Sequence, residues 1–199
     1  MNTGIEKGLK NIIKNVGDAR PILQCAHFEN GNVVATDSHQ LVRYRDVAPK
    51  DLNINLNLTN FSFADDHVYP DTDRLIPTNF GMKFEVSVGK VLEILPLLKG
   101  LRNSGNSPTS MKIKDGVAEL TTELFSSAGI TQEINVEIQN FAGKPIDICF
   151  NSEYLLNALE NIKEIRKFGN VEFKIVAPLN PFLIVYEKMD YMITPMRTY

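Results

Sequence analysis

The feature of this sequence that most constrains its fold is a unit of one helix followed by two or three strands, which occurs three times. Apolar residues recur at helical spacing from Ile5, after Ser87 and after Asn151 or Ser152. Alternating strands precede the second and third helices, at residues 84–86 and 146–150. The repeat is too irregular in length for a solenoid. We therefore expect an α+β protein in which helices pack on one face of antiparallel sheets.

Turn-forming residues predict where these elements end. Asn30-Gly31 predicts a hairpin between strands at 21–28 and 32–36, and Asp115-Gly116 predicts a second hairpin. The first helix is expected over 5–17, stopped by Gly17, and the second helix is expected to kink or end early at Pro96. A strand is expected within 52–58 and a loop at 103–108. A third strand of the second unit is expected at 129–138, and three final strands are expected within 171–197. Residues 48–80 show no second helix and are interpreted as a connector.

Composition excludes several classes of protein. The 199 residues are 43% hydrophobic, which supports a packed core and not wholesale disorder. No apolar run reaches the roughly 20 residues of a membrane helix, and the first residues do not resemble a secretory signal. Cys25 and Cys149 lie far apart in apolar segments, so we expect reduced thiols in a cytoplasmic protein without membrane partners.

Charge is unevenly distributed. The net charge is −3, but residues 5–20 and 88–102 each carry +2, and residues 152–167 carry zero. More basic helices in an acidic chain could hold a phosphate backbone on one side. The alternative is that lysines merely cover the solvent side of amphipathic helices.

Catalytic and metal-binding patterns are weak. The three histidines, His27, His39 and His67, have no metal-ligand spacing, and no glycine-rich phosphate loop is present. Adjacent residues such as Asp37, Ser38 and His39 cannot point at one another as a triad requires, so a turn in which Asp37 and Ser38 bond nearby amides is expected. Asp65-Asp66 lacks the further ligands of a calcium loop. We predict no enzyme, no cofactor and no metal; an unrelated α+β enzyme would need a cleft with perturbed acid-base groups.

Four segments resemble the bacterial and phage DNA polymerase processivity factor, the beta sliding clamp family, in the family's own order. Residues 35–41 (ATDSHQL) resemble a segment of its middle domain, and 69–77 (YPDTDRLIP) the connector that follows. Residues 150–159 (FNSEYLLNAL) and 194–197 (TPMR) resemble parts of its last domain. The resemblance implies a DNA clamp-like fold with a reduced domain at 1–81, including the connector, and a complete C-terminal domain at 82–199. The family's first domain has no counterpart.

In the family, these segments line a hydrophobic pocket that takes a short linear motif from polymerases, loaders and repair proteins. Carried over by position, the resemblance implies the following docking residues: Leu23, Thr36, Ser38, His39, Leu41, Pro70, Arg74, Leu75, Ile193, Thr194, Pro195, Met196 and Arg197. Gln40 and Thr194 depart from the family's usual arginine and methionine, so peptide preference is expected to differ. The alternative is that Leu23, Leu41 and Leu75 are ordinary core.

The resemblance also implies a homo-oligomer that encircles DNA without reading bases. The family ring has twelve helical units, so three per chain would require four copies. The DNA-facing candidates are the basic residues of the helices: Lys7, Lys10, Lys14, Lys90, Lys99, Lys163, Arg166 and Lys167. Partners would be DNA, a polymerase or other DNA enzyme, and a clamp loader; the small size fits a phage genome. The alternative function is an adaptor or decoy that binds clamp-motif peptides without holding DNA.

Overall fold

The computed structural model describes residues 3–14, 16–64, 67–102, 108–123 and 131–197. They form two compact units. The first comprises residues up to 76 together with 185–192, and the second comprises 77–184 together with 193 onward. The predicted division into clamp-like domains at residue 81 stays a prediction.

The first unit is a helix packed on an antiparallel sheet. Its elements are α1 (Thr3–Ile13), a short 3-10 helix (Pro21–Gln24), β1 (Cys25–Glu29), β2 (Asn32–Thr36), β3 (Gln40–Tyr44) and β4 (Ile54–Asn57). The strand order is β4-β1-β2-β3. The apolar stripe of α1 is buried through Leu9 and Ile12, and the helix contacts β1, β2 and β3. The predicted helix, hairpin and 52–58 strand are therefore confirmed in type.

Two local predictions in this unit were wrong, and one strand was missed. The helix ends at Ile13, not at Gly17, because the amide of Val16 bonds Ile13 three residues back and no longer continues the helical pattern. Residues 21–24 are helical, since Pro21 has no N–H for a strand ladder but suits a first helical turn. Strand β3 was not predicted, because the adjacent apolar residues Leu41 and Val42 break the alternation of apolar and polar residues.

Both predicted hairpin turns are confirmed in detail. Asn30 and Gly31 have φ of 51° and 83°, and Asp115 and Gly116 have φ of 52° and 81°. Two successive positive φ values define the turn whose twist matches the flanking strands.

The second unit contains two helices and most of the strands. Its elements are β5 (Met82–Ser87), α2 (Val88–Arg102), β6 (Pro108–Lys114), β7 (Val117–Glu123), β8 (Thr131–Glu137), β9 (Gln139–Gly143), β10 (Ile146–Asn151), α3 (Ser152–Ile165), β11 (Asn170–Ile175) and β12 (Phe182–Tyr186). Strand β13 (Met189–Ile193) follows, and its residues up to 192 belong to the first unit. One sheet has the order β10-β6-β7-β8, and in the other β12 is followed by β11, β5 and β9. The tip of the β12–β13 hairpin, 185–192, belongs to the first unit.

The core of the second unit lies where α2 packs against α3 above the strands. Leu155, Leu156, Leu159 and Ile162 are buried, as the helical pattern predicted. The side chain of Asn151 caps α3 by accepting a hydrogen bond from the amide of Glu153 at 2.9 Å. The α+β fold class is thus confirmed.

One expectation in the second unit was wrong, one strand was missed, and part of an expected loop cannot be followed. Helix α2 does not end early at Pro96 but continues to Arg102, since packing against α3 outweighs the one lost hydrogen bond; the alternative of a kink stays a prediction. Strand β9 was not predicted because all five of its residues are exposed and show no apolar alternation. Of the loop expected at 103–108, residues 103–107 lie outside the described residues, as do Asp65 and Asp66, while Pro108 begins β6.

Candidate functional site

The turn that joins β2 to β3 carries three of the predicted docking residues. The Asp37 carboxylate accepts hydrogen bonds from the amides of His39, at 2.8 Å, and Gln40, at 2.9 Å. Ser38 has a φ of 81°, and its hydroxyl accepts a hydrogen bond from Arg20 at 2.8 Å. The predicted Asp37 turn is confirmed, while the Ser38 hydroxyl bonds a side chain and not an amide. Ser38 and His39 are exposed, and Thr36 is buried.

Gln40, where the family usually has an arginine, is not a surface residue. It is 1% exposed, its amide nitrogen donates to Asp37 at 2.8 Å, and its oxygen accepts from the hydroxyl of Tyr191. Gln40, which departs from the family pattern, therefore connects the turn to β13 in the interior. Sequence reasoning missed Tyr191, because it is 151 positions from its partner.

The connector is held on the sheet of the first unit by Tyr69. Its ring stacks on His27, with centroids 4.7 Å apart and planes within 8°. Burial raises the pKa of Tyr69 above its usual range, and the adjacent backbone of Thr36 opposes that shift. Two of the predicted residues that follow are exposed: Arg74, which pairs with Asp71 at 2.8 Å, and Leu75.

An ion-pair cluster centred on the buried Asp190 ties the connector, β3 and β13 together within the first unit. Arg43 donates to the Asp190 carboxylate through two nitrogens, at 3.0 and 2.7 Å, and to Asp73 at 2.9 Å. Arg45 lies 3.4 Å from the same Asp190 oxygen. None of these residues was predicted, since no local pattern relates positions 147 apart.

The second unit contributes the C-terminal segment. Ile193 is fully buried, Thr194 and Pro195 are half-buried, and Met196 and Arg197 are exposed. The amide of Met196 donates to the carbonyl of Cys149 at 2.7 Å, which fixes the segment beside β10. Both cysteines are free thiols, as predicted, and burial raises the pKa of each.

The predicted docking residues thus fall into two groups by exposure. Leu23, Thr36, Leu41 and Ile193 are buried, which agrees with the alternative interpretation for the two leucines, and Thr194 and Pro195 are half-buried. The exposed residues are Ser38, His39, Pro70, Arg74 and Leu75 in the first unit and Met196 and Arg197 in the second. These seven side chains are exposed to solvent.

A polar cavity of about 460 Å³ opens beside the connector in the first unit. Of the predicted docking residues its lining includes Pro70. Histidine, asparagine and aspartate side chains line most of the rest, together with Arg43. Among the described residues no group of three or more histidine, cysteine, aspartate or glutamate side chains could hold a metal ion.

The predicted DNA-facing residues differ in how much charge they present. Lys10, Lys90 and Lys99 pair with Glu6, Glu93 and Glu160, respectively, at 2.7 to 3.1 Å. The charge of Lys10 and its hydrogen bond lower the pKa of Glu6. The remaining five are exposed: Lys7, Lys14, Lys163, Arg166 and Lys167. The described helices include none long and apolar enough to cross a membrane.

Comparison with known proteins gives a consistent result. The family model of the DNA polymerase III beta subunit, C-terminal domain, matches residues 73–197. The beta sliding clamp of Streptococcus pneumoniae serotype 4 is 26% identical over an alignment that covers 96% of this chain and 63% of that protein. The clamp of Staphylococcus aureus strain Mu50 is 29% identical over 66% of this chain and 34% of its own length.

Solved structures show the same fold. The Caulobacter crescentus beta sliding clamp superposes with a TM-score of 0.79 at 17% identity, and the Bacillus subtilis clamp with 0.76 at 20%. These alignments cover 99% and 100% of this chain, but only 64% of each clamp chain. The chain therefore spans less than two thirds of the length of these relatives.

Proposed function

Because this chain belongs to the family of the DNA polymerase III beta subunit, we propose that it is a non-catalytic processivity factor that holds DNA and tethers a polymerase or another DNA enzyme. The observation that carries the proposal is the alignment of a clamp relative to 96% of the chain, which includes both units. Its place of action would be the cytoplasm, with the replication enzymes.

The proposed DNA contact is electrostatic and independent of sequence. Lys14, Lys163, Arg166 and Lys167 are exposed and lie on or just after helices. Lysine and arginine side chains that neutralise phosphates release counterions, so affinity falls steeply with salt. Lys10, Lys90 and Lys99 belong to the same proposal, but their carboxylate partners reduce what each would add.

The proposed partner contact is a short peptide motif docked on the exposed part of the predicted set. Leu75 is 48% exposed and Met196 is 42% exposed, and a flexible thioether adapts to varied apolar side chains. Arg74 and Arg197 supply donors for a peptide backbone or a glutamine. Buried members of the set, such as Leu41, would act by holding the exposed ones in place.

The assembly that the proposal requires is a homo-oligomer, and a closed one would need a loader to admit DNA. Four copies of 22.4 kDa give about 90 kDa. Size-exclusion chromatography with light scattering measures this mass directly. A monomer that binds a clamp-motif peptide but no duplex at low salt would refute the clamp and indicate the adaptor instead.

Charge reversal tests the DNA contact. We expect Lys163→Glu with Lys167→Glu to weaken duplex binding and to lower the slope of log K against log salt by about 1.8, at about 0.9 for each phosphate contact. The matched control is Lys144→Glu, an exposed lysine on the β9–β10 loop of the same unit. Fluorescence anisotropy between 20 and 200 mM salt gives the slope, and equal slopes for all proteins would contradict the assignment.

Truncation of exposed side chains tests the peptide contact. Met196→Ala with Arg197→Ala should reduce binding of a labelled clamp-motif peptide by about tenfold or more, as expected for anchor residues. Leu179→Ala is the matched control, because Leu179 is 66% exposed in the same unit and lies outside the predicted set. Unchanged peptide affinity in the double variant, with an unchanged melting temperature, would remove the C-terminal segment from the docking site.

A further inference from the structure

The segment that follows α3 combines an exposed aromatic ring with several cations. Phe168 is 60% exposed, and the guanidinium carbon of Arg166 lies 3.7 Å from its ring centroid. Lys163, in the last turn of α3, and Lys167 are also exposed and lie within a few residues of this pair in the sequence. A guanidinium stacked at this distance on a ring forms a flat, positively charged surface.

The backbone holds this surface in place from both sides. The amide of Arg166 donates to Ile162 at 3.1 Å, and the carbonyl of Gly169 accepts from the amide of Val88 at 2.9 Å. Gly169 has a φ of 101°, a conformation that glycine adopts readily and that turns the chain into β11. The side chain of Asn170 donates to Glu85 at 2.8 Å. The 60% exposed ring of Phe168 therefore lies on a turn held by hydrogen bonds, and a partner would not have to order the segment first.

The chemistry of this surface matches one ligand class. Bases stack on aromatic rings and guanidinium planes through their π faces, and the phosphates on either side attract lysines. In duplex DNA the faces of the bases are covered by their neighbours, whereas in single strands they are accessible. We propose that Arg166 and Phe168 form a stacking site for an unpaired base of single-stranded DNA, with Lys163 and Lys167 on the adjacent phosphates.

This inference rests on the proposed function, since it adds a second kind of DNA contact to the same protein. The two contacts differ in their requirements. Contact with phosphates needs only positively charged side chains and is possible with both duplex and single-stranded DNA. Stacking needs the aromatic ring of the protein and an unpaired base of the DNA. Substitution of the ring at constant charge therefore separates them.

The experiment uses the full chain with a fluorescein-labelled 20-nucleotide oligo(dT) and a labelled hairpin duplex at 20 mM salt. We expect Phe168→Leu to weaken oligo(dT) binding by about tenfold, in line with the effect of removing one base-stacking aromatic, and to change duplex binding less than twofold. Phe168→Tyr keeps the ring and should bind like the unchanged protein. Phe141→Leu is the control, because Phe141 is an exposed aromatic residue of β9 in the same unit.

A spectroscopic readout reports stacking itself. A 2-aminopurine placed within oligo(dT) should lose fluorescence on binding, and Phe168→Leu should restore it at saturating protein. Arg166→Lys keeps the charge but loses the planar group, so it should weaken quenching as well.

The outcomes distinguish this inference from the proposed function. Duplex binding that is salt-dependent, together with oligo(dT) binding unaffected by Phe168→Leu, would overturn the stacking site and leave the DNA contact standing. Equal losses on duplex and oligo(dT) would also overturn stacking. If the unchanged protein binds neither form at 20 mM salt, both the DNA contact and the stacking site are wrong.

Discussion

Removal of the Asp190 carboxylate tests which interactions hold the first unit together. Asp190 is 5% exposed and accepts two hydrogen bonds from Arg43. The Nε atom of Arg45 lies 3.4 Å from the same carboxylate. In Asp190→Asn the shape of the side chain is kept while the negative charge is lost. The guanidinium groups of Arg43 and Arg45 would then face a neutral amide at a buried position.

The expected magnitude follows from that geometry. Breaking a buried pair by removing one partner costs about 3 to 5 kcal/mol. The Arg43 side chain is 19% exposed and keeps its bond to Asp73, so we expect the lower value, about 3 kcal/mol. For a chain of this size that corresponds to a melting temperature lower by about 6 to 12 °C. Asp73→Asn is the matched control on the same arginine; because the Asp73 side chain is 72% exposed, its loss should cost about 1 kcal/mol or less.

Urea unfolding followed by circular dichroism gives both free energies, and hydrogen exchange locates the change. The amide of Arg45, which bonds Lys188 at 2.9 Å, should exchange faster in Asp190→Asn. Adding Arg43→Met to this variant should recover part of the loss, since the Arg43 guanidinium then no longer faces a neutral amide. Equal effects of Asp190→Asn and Asp73→Asn, each below about 1 kcal/mol, would refute the reasoning that burial gives this cluster its strength.

Three further predictions address other positions. Asn151→Ala removes the cap of α3 and should lower the unfolding free energy by about 1 kcal/mol in urea titrations, with no loss if the cap is unimportant. Gly143 and Gly116 both have positive φ, but only at Gly143 would an added Cβ lie 2.6 Å from a backbone oxygen. Gly143→Ala should therefore lower the melting temperature far more than Gly116→Ala, and similar melting temperatures would contradict this. Burial and the nearby charge of Asp147 raise the pKa of the Cys149 thiol, so its alkylation rate, followed by peptide mass spectrometry, should still increase above pH 9, and a plateau below pH 8.5 would contradict the raised pKa.

Some site residues were predictable because their role depends on local sequence. The Asp37 turn follows from a short carboxylate that bonds amides two and three residues on, and Asn151 caps α3 for the same reason. The two glycine-containing hairpin turns follow from φ preferences that belong to the residues themselves. The clamp-like segments were recognisable because each is a continuous stretch of sequence.

Other site residues could not be found in this way. Gln40 was identified only as a departure from the family pattern expected to alter peptide preference, but the hydroxyl of Tyr191 and the carboxylate of Asp37 hold it in the interior. The sequence also did not determine that Leu75 is exposed and Leu41 buried, because both are apolar residues with polar neighbours in the sequence.

The amino-acid sequence by itself determined the α+β class, the three helices, the hairpin turns and the membership of the clamp family, because periodicity, turn chemistry and contiguous motifs are all short-range properties of the chain. Only the tertiary structure decided that Arg43 pairs with Asp190, that Gln40 lies buried against Tyr191, and that Phe168 is mostly exposed with Arg166 stacked on its ring. Those outcomes depend on strand pairing and helix packing between distant segments. The free energy of burying a charge or a ring is set by the neighbours that folding brings to it.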